Sequence, residues 1–519
     1  MRKRVVLLQL AAAYSLLAAA QAPVWCWATG LSGNGTVSTE LIAANSTNGS
    51  FVTGMFDDTL ALPGGTLVND GTLGNRFIAR LDSLGNVLWA VQHDDPVVAM
   101  SATATGGVVG VIPYSGSSVF NGVEHLGSAT ATSALIVELD ADGAVLSETN
   151  ISDLIEPAVP ESGRKLALDA DAGLAVLAQY ADSVAIVGQW VQTDGTVLAR
   201  LSLQGNLLWA ERIGKGSVQT GALELDPSGR VLVLMNNCEQ VLATDSVFTD
   251  MEGTLASYSA QGLYEWRVQG LGYDVFEPCV VERRPDGGAF VGVSQPSQGP
   301  IGIGTELTLR SFSASGTEEW ASYAYGSSQW GHAIHSIEYL PSNRALVAGY
   351  ALSTLPQGVL SMTLPSQPNG FAGIVSSSGA WEWFASETAG YIMGFRAVHG
   401  SASRVFVTGS AISASTFGST VIPMVDGNFN GVVGCLGDIA MRGAERNDEP
   451  RSGLWPNPAE DHIQSQARPG ESFSIVDAFG RVVGAGLATS SMLRLPVGFL
   501  PAGHYVLRVG DRAARFIKE

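Results

Sequence analysis

Residues 76–90 read Arg-Phe-Ile-Ala-Arg-Leu-Asp-Ser-Leu-Gly-Asn-Val-Leu-Trp-Ala, and residues 197–210 read Val-Leu-Ala-Arg-Leu-Ser-Leu-Gln-Gly-Asn-Leu-Leu-Trp-Ala. In both, two apolar stretches of strand length flank a polar turn, and a Trp follows the turn Gly at a fixed distance. A Gly between two strands tolerates the positive φ that a bulged hairpin turn requires. Weaker copies run over 254–266, 308–320 and 371–383. A degenerate copy over 135–147 keeps Leu139, Asp140 and Gly143 but has Ser147 in the Trp place, and residues 431–438 begin a last one. Counted from Trp27, the copies recur about every sixty residues and define seven units.

Each unit carries a second strand signal, a short apolar run with Gly, such as Ser50-Phe-Val-Thr-Gly54, Ala289-Phe-Val-Gly292 and Val405-Phe-Val-Thr-Gly409. Sixty residues hold three or four strands of ordinary length. Radial repetition of such sheets predicts an all-β, seven-bladed β-propeller over residues 21–442. Trp27, Trp89, Trp209, Trp266, Trp320 and Trp383 are then packing residues, each burying a flat ring between neighbouring sheets.

Trp25-Cys26-Trp27 precedes the first complete unit, whereas no Trp strand follows 431–438. The amino terminus is therefore expected to complete the last blade. With the template hairpin turning on Ser83-Leu84-Gly85, Arg80 faces Leu88, and the same alignment sets Cys435 opposite Cys26. This predicts a Cys26 to Cys435 disulfide and, by elimination, Cys238 to Cys279, which closes a loop of about 40 residues worth roughly 4 kcal/mol.

Composition agrees with this build. Only 15% of the 519 residues are charged, 62 are Gly and 46% are apolar, which suits short buried strands and tight turns. The 48 acidic residues against 28 Lys and Arg give a formal charge of −20, so phosphate backbones are repelled and nucleic acid is not expected as a partner.

The two ends differ from the middle. Met1-Arg-Lys-Arg4, an apolar run to about Ala20 and the small residues after it predict a secretory signal peptide over 1–20. No second apolar stretch is long enough to cross a bilayer as a helix, so no transmembrane span is expected in the mature chain. Residues 443–453 are polar and aperiodic and read as a linker. From 454 to 519 short alternating strands predict a small β-sandwich. Its markers are Pro456-Asn457-Pro458, Asp477 with Gly480-Arg481, Leu495 with Leu500-Pro501, Gly503-His504-Tyr505, and the basic end Arg515-Phe-Ile-Lys518. In that order they resemble the type A C-terminal sorting domain of the type IX secretion system; Glu519 departs from the family, which more often ends basic. The resemblance implies export to the cell surface or medium of a Gram-negative bacterium, with the type IX translocon and its sorting peptidase as partners. The repeats resemble the Trp-phased propellers of secreted and surface proteins.

Chemical signatures are sparse. The sequence has no Gly-x-Ser-x-Gly, no His-Glu-x-x-His and no phosphate loop, and no metal or cofactor is expected. His332-Ala-Ile-His335 has i,i+3 spacing that suits a helix but sits just before an expected strand, so it reads as two surface histidines. The acidic stretches at Asp140-Ala-Asp142 and Asp169-Ala-Asp171 lack the further ligands of a calcium loop and read as turns. The segments between each Trp strand and the next unit are richer in His, Tyr, Trp and Asp than the hairpin turns. His93, Asp94, Asp95, Tyr273, Asp274, Trp330, His332 and Tyr391 are therefore expected to ring one mouth of the channel as a recognition surface for a glycan or protein. The leading expectation is a binding or adhesion module. The competing ones are an extracellular hydrolase or lyase of polysaccharide or protein and, third, a quinone-dependent dehydrogenase.

Overall fold

In the computed structural model, residues 24–437 and 459–518 are described apart from short internal segments, the longest being 272–278. The expected signal peptide, the linker, and Pro456, Asn457, Pro458 and Gly480 lie outside the described residues. The chain is all-β, with no helix among the described residues, and divides into two compact units, Met1–Gly443 and Ala444–Glu519.

In the first unit, seven sheets share a four-strand antiparallel order. Sheet I contains Val37–Ala44, Ser50–Phe56, Arg76–Leu81 and Val87–His93. Sheets II to VI begin on Ala99–Ala102, Arg164–Asp169, Gln219–Leu225, Val280–Arg283 and His332–Leu340, and sheet VII on Ile392–Ser401. These first strands meet in succession from I to VII, and that of VII meets that of I, so the series closes on itself. Sheet VII takes its fourth strand from the other end of the chain: Val24–Leu31 pairs antiparallel with Asn430–Gly437. The amino terminus completes the last sheet, as expected.

The Gly and Trp spacing has a direct physical cause. In the template hairpin, Gly85 has φ +85 and its N–H donates to Asp82 O, while Asp82 Oδ1 accepts from Leu84 N and Asn86 N. Such a turn presents bare backbone, and the Trp of the preceding sheet lies on it. Trp27 of sheet VII covers Gly85, Trp89 of I covers Gly143 of II, Trp209 of III covers Gly262 of IV, Trp266 covers Gly316 and Trp320 covers Gly379. The indole Nε1 of Trp27, Trp89 and Trp209 donates to Ser83 O, Ala141 O and Ala260 O of the covered turns at 2.9 to 3.0 Å. A Cβ at Gly85 or Gly143 would stand 2.5 or 2.8 Å from the ring that covers it, too close for any side chain. Where Ser147 replaces Trp, Ile151 covers Gly205 instead.

The same turn corrects the cysteine register. Arg80 pairs with Trp89 and Leu81 with Val87, with a bulge between them, so Arg80 does not face Leu88. The equivalent pair in sheet VII is Cys435 with Trp27, and Cys26 sits in an irregularity between Trp25 and Trp27. Cys26, Cys279 and Cys435 are free thiols, and Cys238 lies outside the described residues. The expected disulfides are therefore absent from this structure. Cys26 stands next to Cys435, whose thiol is pushed up to about 12 chiefly by burial.

The second unit has a two-stranded sheet, His462–Gln466 with Met492–Pro496, and a four-stranded sheet built from Ser472–Asp477, Val482–Leu487, Gly503–Val509 and Arg512–Lys518. Both contribute to one core, Ile463, Leu493 and Leu495 from the first and Ile475, Leu507 and Phe516 from the second. The marker residues have structural roles here. Arg481 Nε donates to Asp477 Oδ2 at 2.8 Å across a hairpin turn, Tyr505 donates its hydroxyl to Pro501 O at 2.9 Å and stacks on Phe516, and Lys518 pairs with Gly503.

Candidate functional site

His93, Asp94 and Asp95, in the segment after the Trp89 strand, serve the packing of sheet I and of the hairpin at its edge. His93 is buried and stacks on Phe120 with ring centroids 5.9 Å apart. Its Nδ1–H donates to Asp95 O at 2.8 Å, and burial pushes its pKa down to about 4, so the ring is neutral. Asp94 Oδ2 accepts from Val119 N at 3.0 Å, which ties the hairpin Ser117–Phe120 and Val123–Leu126 to the edge of sheet I. Burial raises the pKa of Asp95, while the charges of Arg76 and Arg164 oppose that rise. His332 lies in a strand opposite Ala351, and Tyr273, Asp274, Trp330 and Tyr391 lie outside the described residues.

Beside this segment is a cavity of about 420 Å³ to which sheets VII, I and III and the 96–98 segment entering sheet II contribute. Its described lining residues are Glu40, Leu41, Arg76, Pro96, Val97, Val98, Arg164, Lys165, Leu166 and Arg396. Local backbone irregularity shapes it. The first strand of sheet I shifts register between Thr39 and Ile42, at Glu40 and Leu41, and that of sheet VII shifts between Met393 and Arg396. The first strand of sheet VI shifts between Ile334 and Ser336, and the Arg396 Nη1 donates to the His335 carbonyl there at 3.4 Å. Such bulges re-aim side chains that a regular ladder would turn to alternate faces.

Four cations in one cavity are notable in a chain with a formal charge of −20. Arg76 is paired with Glu40, Nη1 to Oε1, at 2.5 Å. Arg164 donates to Thr132 Oγ1 at 3.1 Å and to Val159 O at 3.2 Å, which fixes the guanidinium. Burial lowers the pKa of Arg396 and Glu40 pulls it back up. Lys165 also favours the thiolate of Cys279, but burial dominates and pushes that thiol up to about 11. None of these cations was singled out in the sequence. The signal was faint: Arg164-Lys165 opens an otherwise apolar strand, and Arg396 interrupts one.

A second group lies along the first strands of sheets IV, V and VI. Glu224, Glu282 and Glu338 hold the same place in three successive units, opposite Leu232, Phe290 and Leu346. Burial, then the charges of Asp169 and Asp226, pushes Glu224 up to about 8. Glu282 is raised by burial and by Glu224 while its Oε1 accepts from Tyr339 N at 3.0 Å. His335 is on a strand and packs edge-on to Tyr350 at 5.3 Å, and Asp140 and Asp169 cap turns through backbone N–H groups. Among the described residues no group of His, Cys, Asp and Glu is arranged to hold a metal ion.

No family model matches the sequence, and a search of curated proteins returns no match. Among solved structures, the chain is similar to PorZ, a surface component of the type IX secretion system of Porphyromonas gingivalis, at 9% identity and a TM-score of 0.23 over 95% of this chain and 100% of that one. It is similar to the NanB sialidase of Streptococcus pneumoniae at 9% identity and 0.32, covering 77% and 68% of the two chains. It is also similar to the apocarotenoid oxygenase of Synechocystis at 8% identity and 0.34, covering 79% and 93%. At such identities and TM-scores, none of these proteins bears on what this chain does.

Proposed function

We propose that this chain is an exported binding or adhesion protein in which a seven-bladed β-propeller is the payload and residues 454–519 are a type IX sorting domain. The propeller reading is supported by the closed succession of first strands and by the terminal strand pairing in sheet VII. The sorting reading is supported by the two-sheet core and by the structural roles of Asp477, Arg481 and Tyr505. The observation that carries the binding reading is the cavity: its wall holds cations and apolar side chains, with Glu40 as the one carboxylate among its described lining residues. A site of that composition holds a ligand, whereas glycoside hydrolysis requires two carboxylates that flank the scissile bond.

Two experiments test this. The full mature chain on a glycan array and in pull-downs from surface extracts is expected to retain a ligand without consuming it; multiple turnovers of the retained glycan would overturn the reading. Removal of residues 454–519 is expected to leave the protein in the periplasm; unchanged secretion would overturn the address. A hydrolase is the second reading, favoured by Glu224, a carboxyl that burial keeps protonated near neutral pH as a general acid would be. Turnover abolished by Glu224→Gln would establish it.

A further inference from the structure

We infer that the hairpin formed by Ser183–Ile186 and Gln189–Gln192 is a seat for a neutral sugar, with Trp190 as the surface on which a pyranose ring stacks. It shares no lining residue with the cavity and goes beyond the binding reading drawn from it. The hairpin adds two strands to the outer edge of sheet II, where Ile155 and Glu156 of Val145–Glu156 pair with Ile186 and Ala185. It is the counterpart of the hairpin at the edge of sheet I. Both turn on two residues of positive φ, Asn121-Gly122 at +49 and +80 and Val187-Gly188 at +48 and +76. Asn suits such a turn, whereas a β-branched residue there is strained. Packing holds the strained tip: Val184 and Ile186 are core residues, Val187 and Val191 rest on that core, and Val187 N donates to Leu154 O at 3.2 Å. Trp190 is thus presented on a fixed base. Its register is that of Glu124 in the counterpart, since Trp190 pairs with Ala185 as Glu124 pairs with Val119. A place that elsewhere holds a solvated carboxylate here holds an indole, 59% exposed, and no other described Trp is exposed. Glu156, Ala185 and Trp190 form one cross-strand row and so share a face of the sheet. Strands lie about 4.8 Å apart, which sets the carboxylate and the indole roughly 10 Å apart across an Ala that leaves the space between them open. A sugar ring fits that row. Its electropositive C–H hydrogens meet the negative face of the indole, and its hydroxyls donate to Glu156. The same carboxylate, in a chain of formal charge −20, repels an acidic sugar. An indole offers about 150–250 Å² of contact, far below the roughly 800 Å² that each partner of a protein complex buries, so a sugar and not a protein is the occupant.

The test is calorimetric titration of the full mature chain with cellohexaose, laminarihexaose, maltohexaose, xylohexaose and hexagalacturonate. At least one neutral hexasaccharide is expected to bind, at least tenfold more tightly than hexagalacturonate. Trp190→Ala is expected to weaken it at least tenfold and Trp190→Phe, which keeps an aromatic face, to stay within about threefold of wild type; the side chain is exposed, so both variants fold. Glu156→Gln removes the repelling charge and is expected to strengthen hexagalacturonate binding at least threefold. No neutral hexasaccharide bound by wild type, full affinity in Trp190→Ala, equal loss in Trp190→Phe, or hexagalacturonate bound as tightly as the neutral probes would overturn the inference. A surface protein captured by wild type and lost in Trp190→Ala, with no hexasaccharide bound, would overturn the sugar seat while leaving the binding reading intact. A glycan retained equally by wild type and Trp190→Ala would do the same.

Discussion

Replacing Glu224 by Gln removes one ionisable group from the row shared by sheets IV, V and VI and leaves its shape in place. The folded chain holds the Glu224 proton up to a pH of about 8, against an ordinary value of 4.5. A folded value above the unfolded one means that the associated stability is complete below about pH 4.5 and is lost as pH rises through about 8. A shift of that size corresponds to at most about 5 kcal/mol. Glu224 is partly exposed on its strand and interacts with the Glu282 carboxyl, so roughly half of that, 2 to 3 kcal/mol, is the expected effect. The assay is urea unfolding of wild type and Glu224→Gln at pH 5 and pH 8.5, with the difference between the two proteins compared at each pH. The variant is expected to match wild type at pH 5 and to exceed it at pH 8.5. An unchanged difference between the two pH values would mean that Glu224 is already ionised at pH 5, and the account of burial and neighbouring carboxylates would fail.

Gly143→Ala places a Cβ 2.8 Å from the Trp89 ring at φ +83, and should cost about 2 to 3 kcal/mol by denaturant unfolding. In a Trp89→Ala background the cost should fall by about 1 kcal/mol, and strict additivity would refute the docking of ring on turn. Truncation of residues 24–31 from the mature chain leaves Asn430–Gly437 without its outer partner, and should abolish cooperative unfolding of the first unit; an unchanged transition would refute closure by that strand. In native protein iodoacetamide should label exposed Cys26 and spare buried Cys435, whose thiolate is roughly one part in ten thousand at pH 8. Equal labelling by peptide mass spectrometry would refute the burial assignment.

The architecture was legible because one local rule repeats. A turn Gly leaves a flat patch, a Trp at fixed phase covers the patch of the next sheet, and both residue types are conspicuous in a sequence. The closure was legible for the same reason, since Trp27 is a copy without a preceding partner strand. The thiol pairing missed by one position because the bulge after Arg80 shifts the ladder, and a bulge in a turn leaves no mark beyond the Gly itself. The cavity was not legible. Glu40, Arg164 and Arg396 come from three sheets far apart in the chain, and the strands of Glu40 and Arg396 have an irregular register that no periodicity reveals. His93 and Asp94 were singled out by residue type and position, yet their work is to seat a hairpin against sheet I.

The strand pairing of Val24–Leu31 with Asn430–Gly437 also governs timing. The two partners leave the ribosome roughly 400 residues apart, and bringing such distant segments together costs about 5 kcal/mol of chain entropy before any contact repays it. Until the final stretch emerges, the earliest strand has no mate and its edge is open to strangers, so an unfinished or stalled chain is expected to be a target for chaperones and proteases. The ring of sheets thereby stays unlocked until residues 430–437 have been made.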